Sequence, residues 1–450
     1  MCSQLPLHCC FLYQLYQFQP PSDIHFAHKS KSILRKSRRI WYNGGMQTAI
    51  LYLYHGNETF SSSTYRGFAD YAKANGWSVQ RVDLPFSISP ERLSNLISFW
   101  APRGIVYDVG SCKRDCAWIA GLCLPIVMID ADTTSFSVRC PRLGFVNCDS
   151  DSLANLAAKS FFQRGLRHFA FVSANRSWYW SKSRQAAFRT AIELNGARLS
   201  TFDGSSLSTD SPHALGKLRA WLGALPKPCG LLAANDKIGA LVLAVAKQAS
   251  IAVPEDLNVI GIDDNENVCE RTSPPLTSIQ IDFSSGGAAA GQLLNDLLKC
   301  RPSASVQRFY GVQRLTERLS TRRLLKPSPS VRLALETIRR RAADGIASAD
   351  ILPLLGKSRR SAEQRFREAT GKSILEEILD VRFDKVLRLL DNNDVCLNAI
   401  AGLAGFSSEN HLRRQFKSRF GMSMTKFRNV QNKLNRRKVK SNLQTPPTSA

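Results

Sequence analysis

Between residue 46 and about residue 300, short apolar runs alternate with amphipathic stretches, and no other feature restricts the fold of this chain as strongly. The runs cover residues 50–54, 104–107, 126–129, 169–172, 230–233 and 259–262. Segments with helical spacing lie between them, at 65–75, 153–162, 184–194, 214–225 and 238–248. This rhythm implies parallel sheets with helices on both faces. A stretch of about 250 residues with several such units implies two doubly wound lobes. In such folds a ligand sits beyond the carboxyl ends of the strands, so the polar residues just after each run are the binding candidates.

Those strand ends share one chemistry. Asp130 follows the third run, Asn235 and Asp236 the fifth, and Asp263 and Asp264 the sixth. Arg184 opens the helix after the fourth, and Trp178, Tyr179 and Trp180 lie in the loop before it. Carboxylates, an amide and a guanidinium each hold two vicinal hydroxyls, while an indole packs on a sugar ring. The set suits a small polyol or sugar, although any one of these residues alone fits a helix cap equally well.

Charge separates the end of the chain from its body. Residues 48–300 carry 24 basic and 22 acidic side chains, whereas the last 150 residues hold +18 of the net +25. A neutral body with a basic end points to a polyanion partner for the end alone. Residues 301–330 read as a basic linker closing on Lys326-Pro327-Ser328-Pro329-Ser330, and from there the pattern is purely helical.

Two copies of one turn follow. A short helix over 349–355 leads through Gly356-Lys357-Ser358 into a helix over 359–369, with Ser358 as its cap. Ala362 and Phe366 face inward there, and Arg360, Glu363, Gln364 and Arg367 face outward. The second copy runs from 397–403 through Gly405-Phe406-Ser407 into 408–420, with Ser407 in the capping role. It buries Leu412, Phe416 and Phe420 and presents Asn410, Arg413, Arg414 and Lys417. Joined by one helix over 374–390, the two outward faces can enter successive major-groove faces ~34 Å apart. Arg, Gln and Asn read base edges while Lys and the remaining Arg hold phosphates, so affinity falls steeply with salt. A plain helical bundle with a charged face is the simpler alternative, and the duplicated turn argues against it.

Other function classes find little support. No run of eighteen uncharged apolar residues is present to span a membrane. The apolar stretch over 5–18 has its positive charges after it, unlike a secretory signal, so residues 1–47 are expected to be a tail or an over-extended start. Residues 430–450 are expected to be a second basic tail. Twelve scattered cysteines fit a reducing cytoplasm, and Cys112, Cys116 and Cys123, the nearest to a cluster, do not complete a zinc set. No nucleophile elbow, zinc-protease helix or phosphate-binding glycine loop occurs, so no enzyme, metal or cofactor is expected.

Two segments carry family resemblances. Val253-Pro254-Glu255-Asp256-Leu257-Asn258-Val259-Ile260-Gly261-Ile262-Asp263-Asp264, with Ser273-Pro274-Pro275-Leu276-Thr277-Ser278-Ile279, resembles the LacI/GalR-type effector domain. That relative of periplasmic sugar-binding proteins is also matched by the segments over 231–240 and 184–188. The resemblance covers about residues 48–300. It implies sugar contacts from Arg184, Asn235 or Asp236, and Asp263, with Asp130 a weaker match. Two departures stand out: residues 1–47 show no DNA-binding headpiece, and Ile281 replaces a polar pocket residue.

Residues 331–429 are similar to the AraC-type DNA-binding domain. Ile400-Ala401-Gly402-Leu403-Ala404-Gly405-Phe406-Ser407-Ser408 and Phe416-Lys417-Ser418-Arg419-Phe420-Gly421-Met422-Ser423 carry the likeness. Arg382, Leu389, Leu390 and Arg428 add to it, whereas Met424, Leu412 and Ala362 depart from it at packing positions. Together the resemblances imply a cytoplasmic transcription regulator, expected to be an activator and a homodimer. Its expected partners are a double-stranded DNA operator, a small sugar such as xylose or a related pentose, and RNA polymerase. Two alternatives stay open: a regulator whose degenerate cleft answers to a protein partner, and an enzyme with an AraC-type targeting domain.

Overall fold

The computed structural model describes residues 48–430, except 55–58, 85–88, 110–118, 120–121, 123, 136–141, 176, 300–306, 325–327, 357 and 392–394. The expected tail at 1–47, the expected tail at 430–450 apart from the helical Val430, and the Cys112, Cys116 and Cys123 group lie outside the described residues.

The first lobe runs β1 (Thr48–Tyr54), α1 (Thr59–Ala74), β2 (Trp77–Asp83), α2 (Pro90–Trp100), β3 (Gly104–Asp108), β4 (Ile126–Ile129) and β5 (Leu143–Cys148). The second follows with α3 (Ser150–Gln163), β6 (His168–Val172), α4 (Tyr179–Glu193), β7 (Leu199–Phe202), α5 (Pro212–Ala224), β8 (Cys229–Ala233), α6 (Asp236–Gln248), β9 (Leu257–Ile262), α7 (Glu266–Cys269) and β10 (Thr277–Ile281). The chain then returns to the first sheet through α8 (Phe283–Leu298) and β11 (Gln307–Tyr310), and re-enters the second as β12 (Val312–Thr316). Two six-stranded sheets result, ordered β11-β5-β4-β3-β1-β2 and β12-β10-β9-β8-β6-β7. Every pairing is parallel except β10 with β12. Central strands such as β4, β8 and β9 are buried along their whole length, which is why they read as unbroken apolar runs.

Three short crossings join the lobes, at Asp149, Asp282 and Gly311. They lie side by side: the Asp149 amide donates to Tyr310 O at 2.9 Å and the Asp282 amide to Gly311 O at 3.1 Å. Asp149 and Asp282 also cap α3 and α8. Two crossings therefore end in a fixed helix start and the third, at Gly311, runs directly from β11 into β12, so bending concentrates in one or two residues per crossing.

In the first lobe α1 and α8 touch through backbone. A Cβ on Gly287 would stand 1.8 Å from Thr64 O, and one on Gly67 1.9 Å from Ser284 O. Gly287→Ala must push the helices apart, so a loss of about 1–3 kcal/mol is expected in urea denaturation.

The residues expected as linker are a correction. Over 307–316 they form the edge strands β11 and β12, and Ser320 bonds β9 through its hydroxyl (2.6 Å to Val259 O) and its carbonyl (3.0 Å from the Val259 amide). The segment looks like a basic linker because the partners of its arginines lie outside it, those of Arg318 and Arg322 about fifty residues away. Arg308 pairs with Asp296 (2.7 Å), Arg318 with Asp264 (2.8 Å) and Glu270 (2.5 Å), and Arg322 with Glu377 (2.7 Å).

The helical region holds α9 (Pro329–Arg341), α10 (Ser348–Leu355), α11 (Arg359–Thr370), α12 (Ile374–Asp391), α13 (Ile400–Leu403) and α14 (Glu409–Phe420). It has two cores on one connector. Ile374 and Ile378 of α12 join α9–α11 and Leu324, while Phe383, Val386 and Leu390 join α13 and α14. Gly405, at φ 78°, sits where a Cβ would come within 2.3 Å of Ala342 O. Arg382 ties the halves, donating from Nε to Ala342 O (2.9 Å) and from Nη2 to Ile346 O (2.7 Å). Arg428 caps the end of α12 by donating to the carbonyls of Leu390 (3.1 Å) and Leu389 (3.3 Å). The departing residues Met424, Leu412 and Ala362 are all buried.

Candidate functional site

The strand ends of the two lobes meet beside the crossings. From the first lobe, Asp130 follows β4 with a left-handed backbone, φ 52°. Its carboxylate accepts the Tyr310 hydroxyl at 2.5 Å and the Cys148 amide at 3.0 Å. Burial pushes its pKa up, while Tyr310, the Cys148 amide and Arg184 pull it back. Asn147 is fixed by two bonds to the Ala131 backbone, both 3.1 Å, and donates at 3.2 Å to the Tyr179 hydroxyl of the second lobe. Within the second lobe, the Ser183 hydroxyl of α4 lies 2.9 Å from that of Ser150 at the start of α3.

From the second lobe comes Arg184, 4% exposed. It donates to Ala234 O at 2.6 Å, faces Asp263 at 3.4 Å and lies 4.8 Å from the Trp180 ring. Burial works against its charge, but Asp263, Cys148, Tyr310 and Asp130 together more than compensate and its pKa is raised. Trp178 stacks on Trp180 with centroids 5.4 Å apart. Two buried donors here have no hydrogen-bond partner among the described residues, Arg184 Nε and Trp178 Nε1. Orphan donors of this kind are costly unless a ligand or water meets them.

Arg184, Asp263, Asp130 and Trp178 therefore belong to one region, with Asn147, Tyr179 and Tyr310 beside them. Asn235 and Asp236 serve the second lobe itself. Asn235 caps α6, accepting the Ile238 amide at 3.0 Å. Asp236, 1% exposed, has both oxygens engaged, by the Ser278 hydroxyl (2.5 Å) and the Asn265 amide (2.7 Å). Burial pushes its pKa up to about 7 against those two bonds, and the neighbouring Asp264 adds to the rise. A carboxyl raised in the fold favours folding while protonated, so that contribution is present below pH 3.8 and is lost as pH rises through about 7. Asp236→Asn is expected to flatten the pH dependence of denaturation between those limits.

Among the described thiols, those of Cys148, Cys229 and Cys269 are buried and that of Cys396 is exposed. Burial raises the thiols of Cys148 and Cys269, and that of Cys229 to about 12. No described group of three His, Cys, Asp or Glu could hold a metal.

In the helical region, Arg360, Gln364 and Arg367 of α11 are exposed and Glu363 is half-buried. Ser358 caps α11 as expected. The cap of α14 is Ser408, which accepts the His411 amide at 3.2 Å, and not Ser407, whose hydroxyl lies 3.3 Å from His411 Nδ1. Asn410, Arg413, Arg414 and Lys417 are exposed on α14, and Arg413 pairs with Glu409 at 2.5 Å. Arg419 is withdrawn from this face by Asp380 of α12, at 2.6 Å.

Comparison with known proteins places these two regions. Residues 158–321 match the periplasmic binding protein-like domain and residues 354–429 a helix-turn-helix domain. The xylose operon regulatory protein of Escherichia coli (strain K12) is 25% identical over 386 residues, covering 85% of this chain and 97% of its own. Its counterpart in Haemophilus influenzae is 28% identical over 384 residues, covering 84% and 97%. The solved structure of a xylose-binding transcription activator superposes with a TM-score of 0.53 at 25% identity, covering 86% of this chain and 99% of that one. Both regions are thus matched in one order by single proteins. The chain combines a periplasmic-binding-protein-like sensor domain with an AraC-type helix-turn-helix domain, the make-up of a sugar-responsive transcriptional regulator. The relatives that match both regions are named as transcription regulators and not as enzymes, so the targeting-domain alternative is set aside. No helix among the described residues is long and apolar enough to cross a membrane.

Proposed function

We propose that this regulator is a cytoplasmic, homodimeric activator of sugar-use genes that closes its inter-lobe cleft on a pentose of the xylose type. The observation that carries the reading is the pair of orphan donors, Arg184 Nε and Trp178 Nε1, beside the Arg184–Asp263 pair. A polyol supplies acceptors to the donors and hydroxyls to Asp263 and Asp130, and its ring face packs on Trp178. The names of the relatives, xylose operon regulators and a xylose-binding activator, point to the same sugar. Asn235 would take part through its amide nitrogen, while Asp236 would act by holding the turn that carries Asp263.

On this reading residues 48 to about 321 form the sensor and 331–429 the reader. Arg360, Glu363, Gln364 and Arg367 would face one major-groove segment, and Asn410, Arg413, Arg414 and Lys417 the next. As an activator it would engage RNA polymerase from the same DNA site.

A thermal-shift screen of the chain against aldopentoses, hexoses and their polyols tests the sensor. At 100-fold above its dissociation constant, D-xylose should stabilise the fold by ~2.7 kcal/mol. Silence across the panel would instead favour a protein partner as the signal.

A further inference from the structure

Asp263 and Asp264 are consecutive non-glycine residues with left-handed backbones, φ 108° and 52°. Such residues persist only where their surroundings hold them, and cluster at switch and ligand sites. The holds are on every side. The Asp263 amide donates to Ile279 O (2.8 Å), the Asp264 amide to the Ser278 hydroxyl (3.0 Å) and the Asn265 amide to Asp236 (2.7 Å). Thr316 donates to Asp264 at 2.8 Å, and Asn265 caps α7.

The three carboxylates of this short turn face three different parts of the molecule. Asp263 faces Arg184 in the cleft at 3.4 Å. Asp264 pairs at 2.8 Å with Arg318, which is fully buried and also holds Glu270 of the α7 end. Glu266 leaves the sensor: Lys385 of α12 donates to it at 2.9 Å, and Arg388 lies at 3.9 Å. Helix α12 is the connector that joins both cores of the reader.

We propose that the turn from Asp263 to Glu266 is the relay that carries cleft occupancy into the reader, a proposal that rests on a sugar being the cleft ligand. A sugar hydroxyl between Arg184 and Asp263 rearranges their long contact. Because the turn is pinned at four backbone and side-chain points, it shifts as one piece instead of deforming. Glu266 then changes its hold on Lys385 and Arg388, and the signal enters the reader at the helix that sets the separation of α11 and α14. Two other sensor–reader pairs, Arg332–Glu255 (2.8 Å) and Arg322–Glu377 (2.7 Å), fasten the domains without touching the cleft residues.

The test uses the full chain, D-xylose as probe, calorimetry for sugar affinity and hydrogen exchange for α12. In the wild type, saturating D-xylose should change amide protection in α12 by about 5-fold or more. Glu266→Gln, and separately Lys385→Gln with Arg388→Gln, should abolish that change while D-xylose affinity stays within about threefold of wild type. Glu255→Gln should leave the change intact. A response that survives in Glu266→Gln with sugar binding intact overturns the relay, as does its loss in Glu255→Gln, which would assign it to docking in general. A wild type that does not bind D-xylose overturns the pentose reading and the relay with it.

Discussion

Arg184→Ala is expected to weaken D-xylose binding by about 10–150-fold, the worth of charge-assisted hydrogen bonds removed from a buried site. The fold suffers as well. Asp263 and Arg184 have side chains 5% exposed, so truncation leaves a carboxylate without its cation and a carbonyl, Ala234 O, without its donor. Breaking a buried pair from one side costs about 3–5 kcal/mol, and the lower end applies here because the pair is long, at 3.4 Å. Arg184→Lys keeps the charge but loses the planar fork that reaches Ala234 and Asp263 together, so it should recover stability more than affinity. Calorimetry and urea denaturation on both variants separate the two effects. Unchanged affinity in Arg184→Ala would remove this residue from the sugar site.

Arg318→Met should cost more stability than any other single change considered, about 3–5 kcal/mol. Arg318 is fully buried and sits between Asp264 and Glu270, with a further bond to Leu276 O at 2.9 Å. Burial opposes its charge, yet the two carboxylates raise its pKa above the ordinary arginine value. Methionine fills much of the volume but leaves two carboxylates facing each other across an apolar side chain. The midpoint in urea should fall without a change in m, since the surface exposed on unfolding is the same. A loss below about 1 kcal/mol would mean that the site admits water and that the cation is dispensable.

Arg318 also marks where the sequence could not be read. It lies in a segment with seven basic residues and one acidic between 301 and 326, which has the composition of a linker. Its partners, Asp264 and Glu270, lie about fifty residues away, and only the return of the chain as β12 brings them together. Strands β1, β3, β4, β6, β8 and β9 were legible because burial on both faces leaves an apolar run. Edge strands β2 and β7 are partly exposed and polar, and β5, though buried throughout, is broken in sequence by Gly144 and Asn147.

The same physics sorted the site. Asp130, Arg184, Asp263 and Trp178, the residues proposed for the sugar, follow strand ends, and that rule reaches them. Tyr310 comes from the returning strand β11, and Asn147 lies inside β5, so no rule about loops after strands could find them. Asp236 obeys the rule and still points inward, because Ser278 and Asn265, brought near by the sheet, satisfy both its oxygens. In the reader the turn glycines and inward apolar residues were plain, and only the cap of α14 shifted by one residue, from Ser407 to Ser408.

If the cleft is the sensor, its occupancy sets DNA binding. The most direct test is the affinity of the full chain for a duplex selected from a random pool, measured by fluorescence anisotropy with and without saturating D-xylose at one fixed salt concentration. An affinity ratio of about 5–150-fold is expected, lost in Arg184→Ala. Equal affinities with and without D-xylose, in a protein shown by calorimetry to be saturated with it, would contradict the account.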